Sequence, residues 1–326
     1  MLSRHFLRSK VLQAVYACQV DPVAESTIRF NFQKTLLRLN DLGVWQLSTL
    51  LEFQHAAELF LEEAAQKFKP TQEDLNPSQR LPNNRLLAVL NDNFAYRKQC
   101  DRLNINWSDA QDVFRRLFVT VRGSQVYRDY VNSDDTFEND QLFVMQIFKL
   151  LMNDDALRDR LYRRDLLWED DFDQVAQYNF MLLRSIDASF NEASPMLLMH
   201  DENNPADVEG MEFACHLLAE TLRNRQEGED LIKSHLKGWE FDRIAQMDVL
   251  LITMAVSELM GCPSIPERVT VDEYIELSKE FSTDRSKLFI NGILDKLIVE
   301  LRAAGRIQKS GRGLYDPDFD THNDEV

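Results

Sequence analysis

Apolar residues return every three or four positions in one segment after another of this chain, and that period commits it to helices that bury one face. Over 3–20 the repeat is carried by Leu7, Val11, Leu12, Val15 and Cys18, with Arg4, Arg8 and Lys10 turned toward another face. The same spacing predicts one or two long helices over 26–68, broken or bent near Gly43, and helices over 85–99, 108–131, 138–151 and 170–190. A last group is predicted over 208–225, 230–239, 242–260, 271–281 and 284–304. With only 10 Gly and 9 Pro in 326 residues, little interrupts a helix. The expected fold class is all-α.

Two stretches break the pattern. "KPTQEDLNPSQRLPNN", 69–84, has three prolines and little apolar content and reads as a linker or long loop; "NEASPMLLMHDENNPADVEG", 191–210, precedes the last helices. In that last group Thr270 and Glu273 have the capping-box spacing, and Ser282 or Thr283 is placed to cap the final helix. That helix carries Leu288, Phe289, Ile293, Leu294, Leu297 and Leu301 as an apolar face, with Gly292 beside it to admit a neighbouring backbone. Asp284, Arg285, Ser286 and Lys287 stand at its start, where free backbone N–H groups favour an anion. After Gly305 disorder is expected.

Charge and chemistry narrow the function. The net charge of −17 argues against a surface coated for nucleic acid, since phosphate binding rests on Lys and Arg. A local basic patch remains open: 301–315 holds Arg302, Arg306, Lys309 and Arg312 with no acid, whereas the last eleven residues hold five acids and no base. The longest apolar run, Val249 to Val256, falls far short of a membrane span, and no signal core opens the chain, so a soluble, cytoplasmic protein is expected. Cys18, Cys100, Cys215 and Cys262 are scattered, which indicates four reduced thiols and neither a zinc site nor a disulfide framework. The acidic clusters "WEDDFD" and "MHDENNPAD" lack the partner groups that acid–base, phosphate or metal chemistry needs. Cys215 and His216 are neighbours about 100° apart on a helix, a poor nucleophile pair. No enzyme, metal or cofactor is expected.

The stretch "VTVDEYIELSKEFSTDRSKLFINGILDKL" resembles the closing two helices of the NusB family of transcription antitermination factors, with E-L-A-K-x-F appearing as Glu276-Leu277-Ser278-Lys279-Glu280-Phe281 and K-F-V-N-G-V-L-D-K as Leu288 to Lys296. The family's arginine-rich opening and A-x-Q-A-L-Y appear as Arg4, Arg8 and Leu12-Gln13-Ala14-Val15-Tyr16, and 216–259 follows its intervening helices. The resemblance implies a NusB-like pair of helical bundles. It divides the chain into N-terminal helices with a basic first helix (1–64), a large helical insertion (65–205), a C-terminal NusB-like helical domain (206–305) and a disordered tail (306–326). It further implies an adaptor without catalysis, binding single-stranded boxA-type RNA together with the ribosomal protein NusE in the RNA polymerase antitermination complex during ribosomal RNA transcription.

Carried over by position, Arg4, Arg8 and Tyr16 fall where the family's first helix meets RNA, and Phe281 and Phe289 where its aromatic contacts sit. Cations to hold phosphate and aromatics to stack on unpaired bases are the right ingredients for single-stranded RNA. Ser282 stands where the family usually has glycine and Arg285 where it has an acid. Lys10, Lys287, Arg302 and Arg306 are candidates to supplement a thin arginine arm. For the NusE surface, Asp248 takes the place of an acidic contact residue and His235 that of a tyrosine. The alternative is a non-catalytic protein-binding scaffold that has lost RNA binding.

Overall fold

The structure, a computed structural model, describes residues 2–20, 24–196, 199, 204–236 and 241–314. It divides into two compact units, one made of Met1–Thr35 with Glu202–Val326, the other of Leu36–Asp201. The division thus falls at Thr35 and not near residue 64. Among the described residues every regular element is helical.

The chain opens with α1 (Arg4–Val20) and α2 (Glu25–Ala65). The expected break near Gly43 does not occur: α2 runs straight through it, and the Gly43 carbonyl accepts a further bond from the Asn179 amide at 3.0 Å. The proline-rich stretch contains α3 (Gln72–Leu75), closed by a Thr71–Asp74 capping box. Two predicted helices are each two: α4 (Arg85–Asp92) and α5 (Phe94–Leu103) part at Asn93, and α6 (Gln111–Arg122) and α7 (Gln125–Asn132) part at Gly123 and Ser124. In both cases a side chain caps the new helix, Asn93 accepting from the Tyr96 N–H and Ser124 from the Tyr127 N–H. Next come α8 (Phe137–Met152), α9 (Asp155–Tyr162) and α10 (Phe172–Ser185).

The second unit is built on an aromatic core. Trp45, Trp107 and Phe114 meet edge to face, Phe53 and Phe60 both pack on Phe118, and Phe143 stacks flat on Tyr130 at 3.9 Å. Inside it Asp140 is buried, accepting from Arg80, the Arg85 N–H and the Tyr130 hydroxyl.

The first unit is completed by α11 (Pro205–Arg223), α12 (Arg225–His235), α13 (Gln246–Gly261), α14 (Glu267–Phe281) and α15 (Ser286–Ala303). Every residue of α13 from Asp248 to Leu259 is buried, as expected of a helix apolar on all sides. It is the axis of the unit, with α1, α11, α12, α14 and α15 packed around it.

Three expectations about this unit change. Helix α14 begins at Glu267 with Pro266 as its N-cap, so Thr270 lies inside it and makes no capping box. The space around Gly292 is open, so its lack of a side chain serves no close approach. Residues 306–314 are not a disordered tail: Arg306 pairs with Glu227, and the Ser310 N–H and Lys309 Nζ donate to the carbonyls of Pro263 and Cys262. A Cβ on Gly313 would collide with the Pro263 carbonyl, which fixes glycine there. The remaining residues of the predicted tail, 315–326, lie outside the described residues.

A candidate RNA interface at one end of the first unit

Helix α1 runs antiparallel to α13. Near its start the Arg8 guanidinium reaches Glu258 through Nε (2.8 Å) and a terminal nitrogen (2.7 Å), and near its end Gln19 bonds Gln246. Arg8 is 1 % exposed and Glu258 is 0 % exposed. Burial works against the charge of Arg8, and the bond and charge of Glu258 outweigh it, raising its pKa. The Thr270 and Tyr274 hydroxyls donate to the two oxygens of the same carboxylate at 2.9 and 3.1 Å, so both of its oxygens are satisfied. Arg8 is therefore a core residue, and its guanidinium, expected on phosphate, is engaged by Glu258 instead. Lys10 is likewise buried, its ammonium donating to Gln13 at 2.7 Å and lying over the Phe6 ring.

One helical turn before Arg8, Arg4 remains partly exposed, pairing with Glu209 at 2.6 Å and lying over the Phe213 ring. Between them His5 has a carboxylate on each ring nitrogen, Glu273 at 2.9 Å on Nδ1 and Glu280 at 3.0 Å on Nε2. A neutral imidazole has one N–H and can serve one of them, whereas the imidazolium serves both. Burial opposes the charge, but the two glutamates outweigh it and raise the pKa above the ordinary histidine value. A pKa raised on folding adds stability that is complete below the unfolded value, about 6.5, and is lost as pH rises through the folded one. The stability advantage of the native protein over His5→Gln is therefore expected to shrink from pH 6 to pH 8 in paired thermal melts; an advantage that grows over that range would refute the assignment.

The start of α13, which meets the last turn of α1 through Gln246, also holds the turn between α14 and α15. Asp248, two residues after Gln246 at the start of α13, accepts from the Ser282 hydroxyl (2.6 Å) and the Ser286 hydroxyl (3.0 Å). Neither Ser282 nor Thr283 caps α15; Arg285 is its N-cap and makes no side-chain capping bond. The anion drawn to this helix start is Asp248, 6 % exposed. It was expected on a partner surface and instead fixes the turn. Asp248→Ala should cost about 1–3 kcal/mol by stranding two hydroxyls. Faster amide exchange confined to 282–288 would be its signature, and unchanged exchange there would count against the latch.

This latch holds out the remaining candidates. Phe281 and Phe289 are half-buried, Arg285 and Lys287 are exposed, and Tyr16 is exposed in the last turns of α1. Among the described residues neither Arg285 nor Lys287 is taken up by an ion pair. Leu288, predicted on the buried face, is 75 % exposed, because α15 buries Ser286, Ile290, Ile293, Leu294, Leu297 and Leu301 instead. Arg302 and Arg306 lie elsewhere and are paired with Glu267 and Glu227. The Arg306 bond, outweighing burial, lowers the pKa of Glu227. His235 meets Glu300 at 3.1 Å through Nε2.

The NusB family model matches residues 171–299. The chain is 42 % identical over 112 residues to the transcription antitermination protein NusB of Salinibacter ruber, covering 34 % of this chain and 70 % of that protein. Against the protein of the same name from Geobacter sulfurreducens it is 39 % identical over 125 residues, 38 % of this chain and 91 % of the relative.

The chain belongs to the NusB family.

With the NusB protein of Chloroherpeton thalassium the identity is 36 % over 115 residues, spanning 35 % of this chain and 54 % of the relative. No solved structure matches the chain. The family match begins at Asp171, one residue before α10, and takes in α11 to α14 and most of α15; α1 and its arginines lie outside it. Among the described residues no group of side chains could hold a metal ion, no helix is long and apolar enough to cross a membrane, and all four cysteines are free. Burial, then Glu258, pushes the Cys262 thiol up to about 12.

Proposed function

We propose that this chain is a non-catalytic, RNA-binding transcription antitermination factor that acts with NusE on boxA-type RNA during ribosomal RNA transcription. The observation that carries the reading is the end of the first unit where the start of α13 gathers the last turn of α1 and the α14–α15 turn. There Tyr16, Phe281 and Phe289 offer ring surface for unpaired bases, and Arg285 and Lys287 offer uncommitted cations for phosphates. Arg4 stands about 18 Å from Tyr16 along α1, counted at the helical rise, and serves a separate stretch of RNA or none.

The burial of Arg8 and Lys10 favours a second reading, a protein-binding scaffold without RNA affinity, because it removes two of the three cations expected on α1. Binding of a labelled single-stranded boxA-type RNA across a salt series, with and without NusE, separates the two. On the first reading Arg285→Ala with Lys287→Ala flattens the salt dependence by about 1.4 in log–log slope, the release expected for two phosphate contacts on a single strand. NusE binding with no RNA affinity even at low salt would leave only the scaffold.

A further inference from the structure

In the second unit α8 and α10 lie side by side and antiparallel. Near the start of α8 the Gln141 amide donates to the carbonyls of Leu183 and Ile186 at the end of α10, while at the other end Asn153 and Asp173 line one cavity. This open cavity, about 290 Å3, is walled by Phe148 and Met152 from α8 and by Ala176 and Phe180 from α10. The antiparallel register extends the apolar strip to Met145, and then to Leu142 and Met181, which are 55 % and 52 % exposed. From Leu142 to Asn153 it runs about 17 Å, three helical turns. The α8 side of this groove lies outside the residues that the family model matches.

An apolar strip of that length between two helices fits a third helix, laid in with anchors at i, i+3 or i+4, and i+7. Its methionines, Met145, Met152 and Met181, adapt to the anchor they meet. Charge selects the occupant. Lys149 lines the cavity near the middle of the strip and Arg184 stands at the Leu142 end; among the described residues neither is taken up by an ion pair. Asp173, the acid on the cavity lining, is already held by two nitrogens of Arg158 at 2.8 and 3.2 Å. Glu138 sits in the first turn of α8, where the helix dipole favours it. A two-fold contact centred on this groove would bring Lys149 toward its own counterpart with no free acid beside it, which counts against a second copy of this chain.

We propose that the α8–α10 groove takes an amphipathic helix of a partner protein, its apolar face on the strip and an acid against Lys149. The proposal goes beyond the RNA reading and does not depend on it.

The test uses the full chain, without RNA, and two labelled peptides of about 15 residues, long enough to cross the groove. Both carry leucines at helical spacing and alanine to hold the helix, and they differ only in flanking the leucines with glutamate or with lysine. Fluorescence anisotropy is expected to show the glutamate peptide binding several-fold more tightly than the lysine peptide. Lys149→Glu should reverse that preference, and Leu142→Gln with Met181→Gln should weaken both peptides. All three positions are exposed, so these variants should keep their fold, which circular dichroism and melting check. Equal affinity for the two peptides, a preference that Lys149→Glu does not move, or no binding of either overturns the proposal. So does self-association that grows with concentration and is lost in the double glutamine variant, which would make a second copy the occupant. Because no RNA is present, failure here leaves the antitermination reading untouched, and failure of RNA binding leaves this one untouched.

Discussion

Glu258→Ala is expected to destabilise the first unit by about 3–5 kcal/mol, the cost of leaving a buried guanidinium without its partner. At the sensitivity usual for a domain of this size, that is a fall of roughly 6–20 °C in Tm. The loss is large because one carboxylate ties two helices to α13's own core: Arg8 from α1, and Thr270 and Tyr274 from α14, all bond to it with neither Arg8 nor Glu258 in contact with water. Removing the charge from both sides tests the cause. Arg8→Met with Glu258→Gln should recover most of the stability, since the amide carbonyl still accepts from a hydroxyl and no ion remains buried alone. Urea melts of the native chain, both single variants and the double variant give the coupling directly. A loss under 1 kcal/mol in Glu258→Ala would mean that water or another cation replaces the pair.

In the second unit the corresponding substitution is Asp140→Ala, also expected to cost about 3–5 kcal/mol. Asp140 is 1 % exposed and collects the Arg80 guanidinium at 3.1 Å, the Arg85 N–H at 3.1 Å and the Tyr130 hydroxyl at 2.9 Å. It thus joins the start of α4, the end of α7 and the start of α8 around one carboxylate. Burial, and after it the Asp140 charge among the other causes, raises the Tyr130 pKa, so the phenol stays neutral and donates. Asp140→Asn should cost less, because one oxygen still accepts. Amide exchange read segment by segment distinguishes this hub from a general weakening: protection should collapse around 80–86 and 127–144 and persist in α13. Uniform loss across the chain would defeat the assignment.

Helix content was legible in the sequence because helical periodicity is a local property, and α8, α11, α13 and α15 lie close to where spacing put them. Breaks were less legible. Nothing in the periodicity of 85–99 or 108–131 marks Asn93 or Ser124 as caps, since the apolar repeat continues on both sides; Gly43 looked like a break and is not, because packing against Asn179 supplies what propensity lacks. Capping signals misled where tertiary demand was stronger, as Thr270 serves the Glu258 carboxylate in place of a helix start.

The site residues divide along the same line. Arg285 and Lys287 are exposed at a short turn, which sequence alone could suggest, because a turn between two amphipathic helices has to face water. Arg8 and Arg4 look alike in sequence, four residues apart on one face, yet one is sealed in the core and the other is open. The signal that separates them lies 250 residues away, in the single carboxylate of "ITMAVSEL". An acid inside an otherwise apolar, buried helix has to find a cation or a set of donors. Glu258 could have been singled out on that ground, but its partner could not.

The amino-acid sequence by itself determined that this chain is helical, that it carries the NusB pattern in its last third, and that its charge is concentrated in acids away from one short basic stretch. Those are properties of composition and of neighbours within a few residues. Which arginine meets solvent, which serine is a latch and which aspartate is buried were decided only when α1, α14 and α15 packed against α13. A charge becomes structural or functional according to what is packed against it, and the partners that decide the matter here are far apart along the chain.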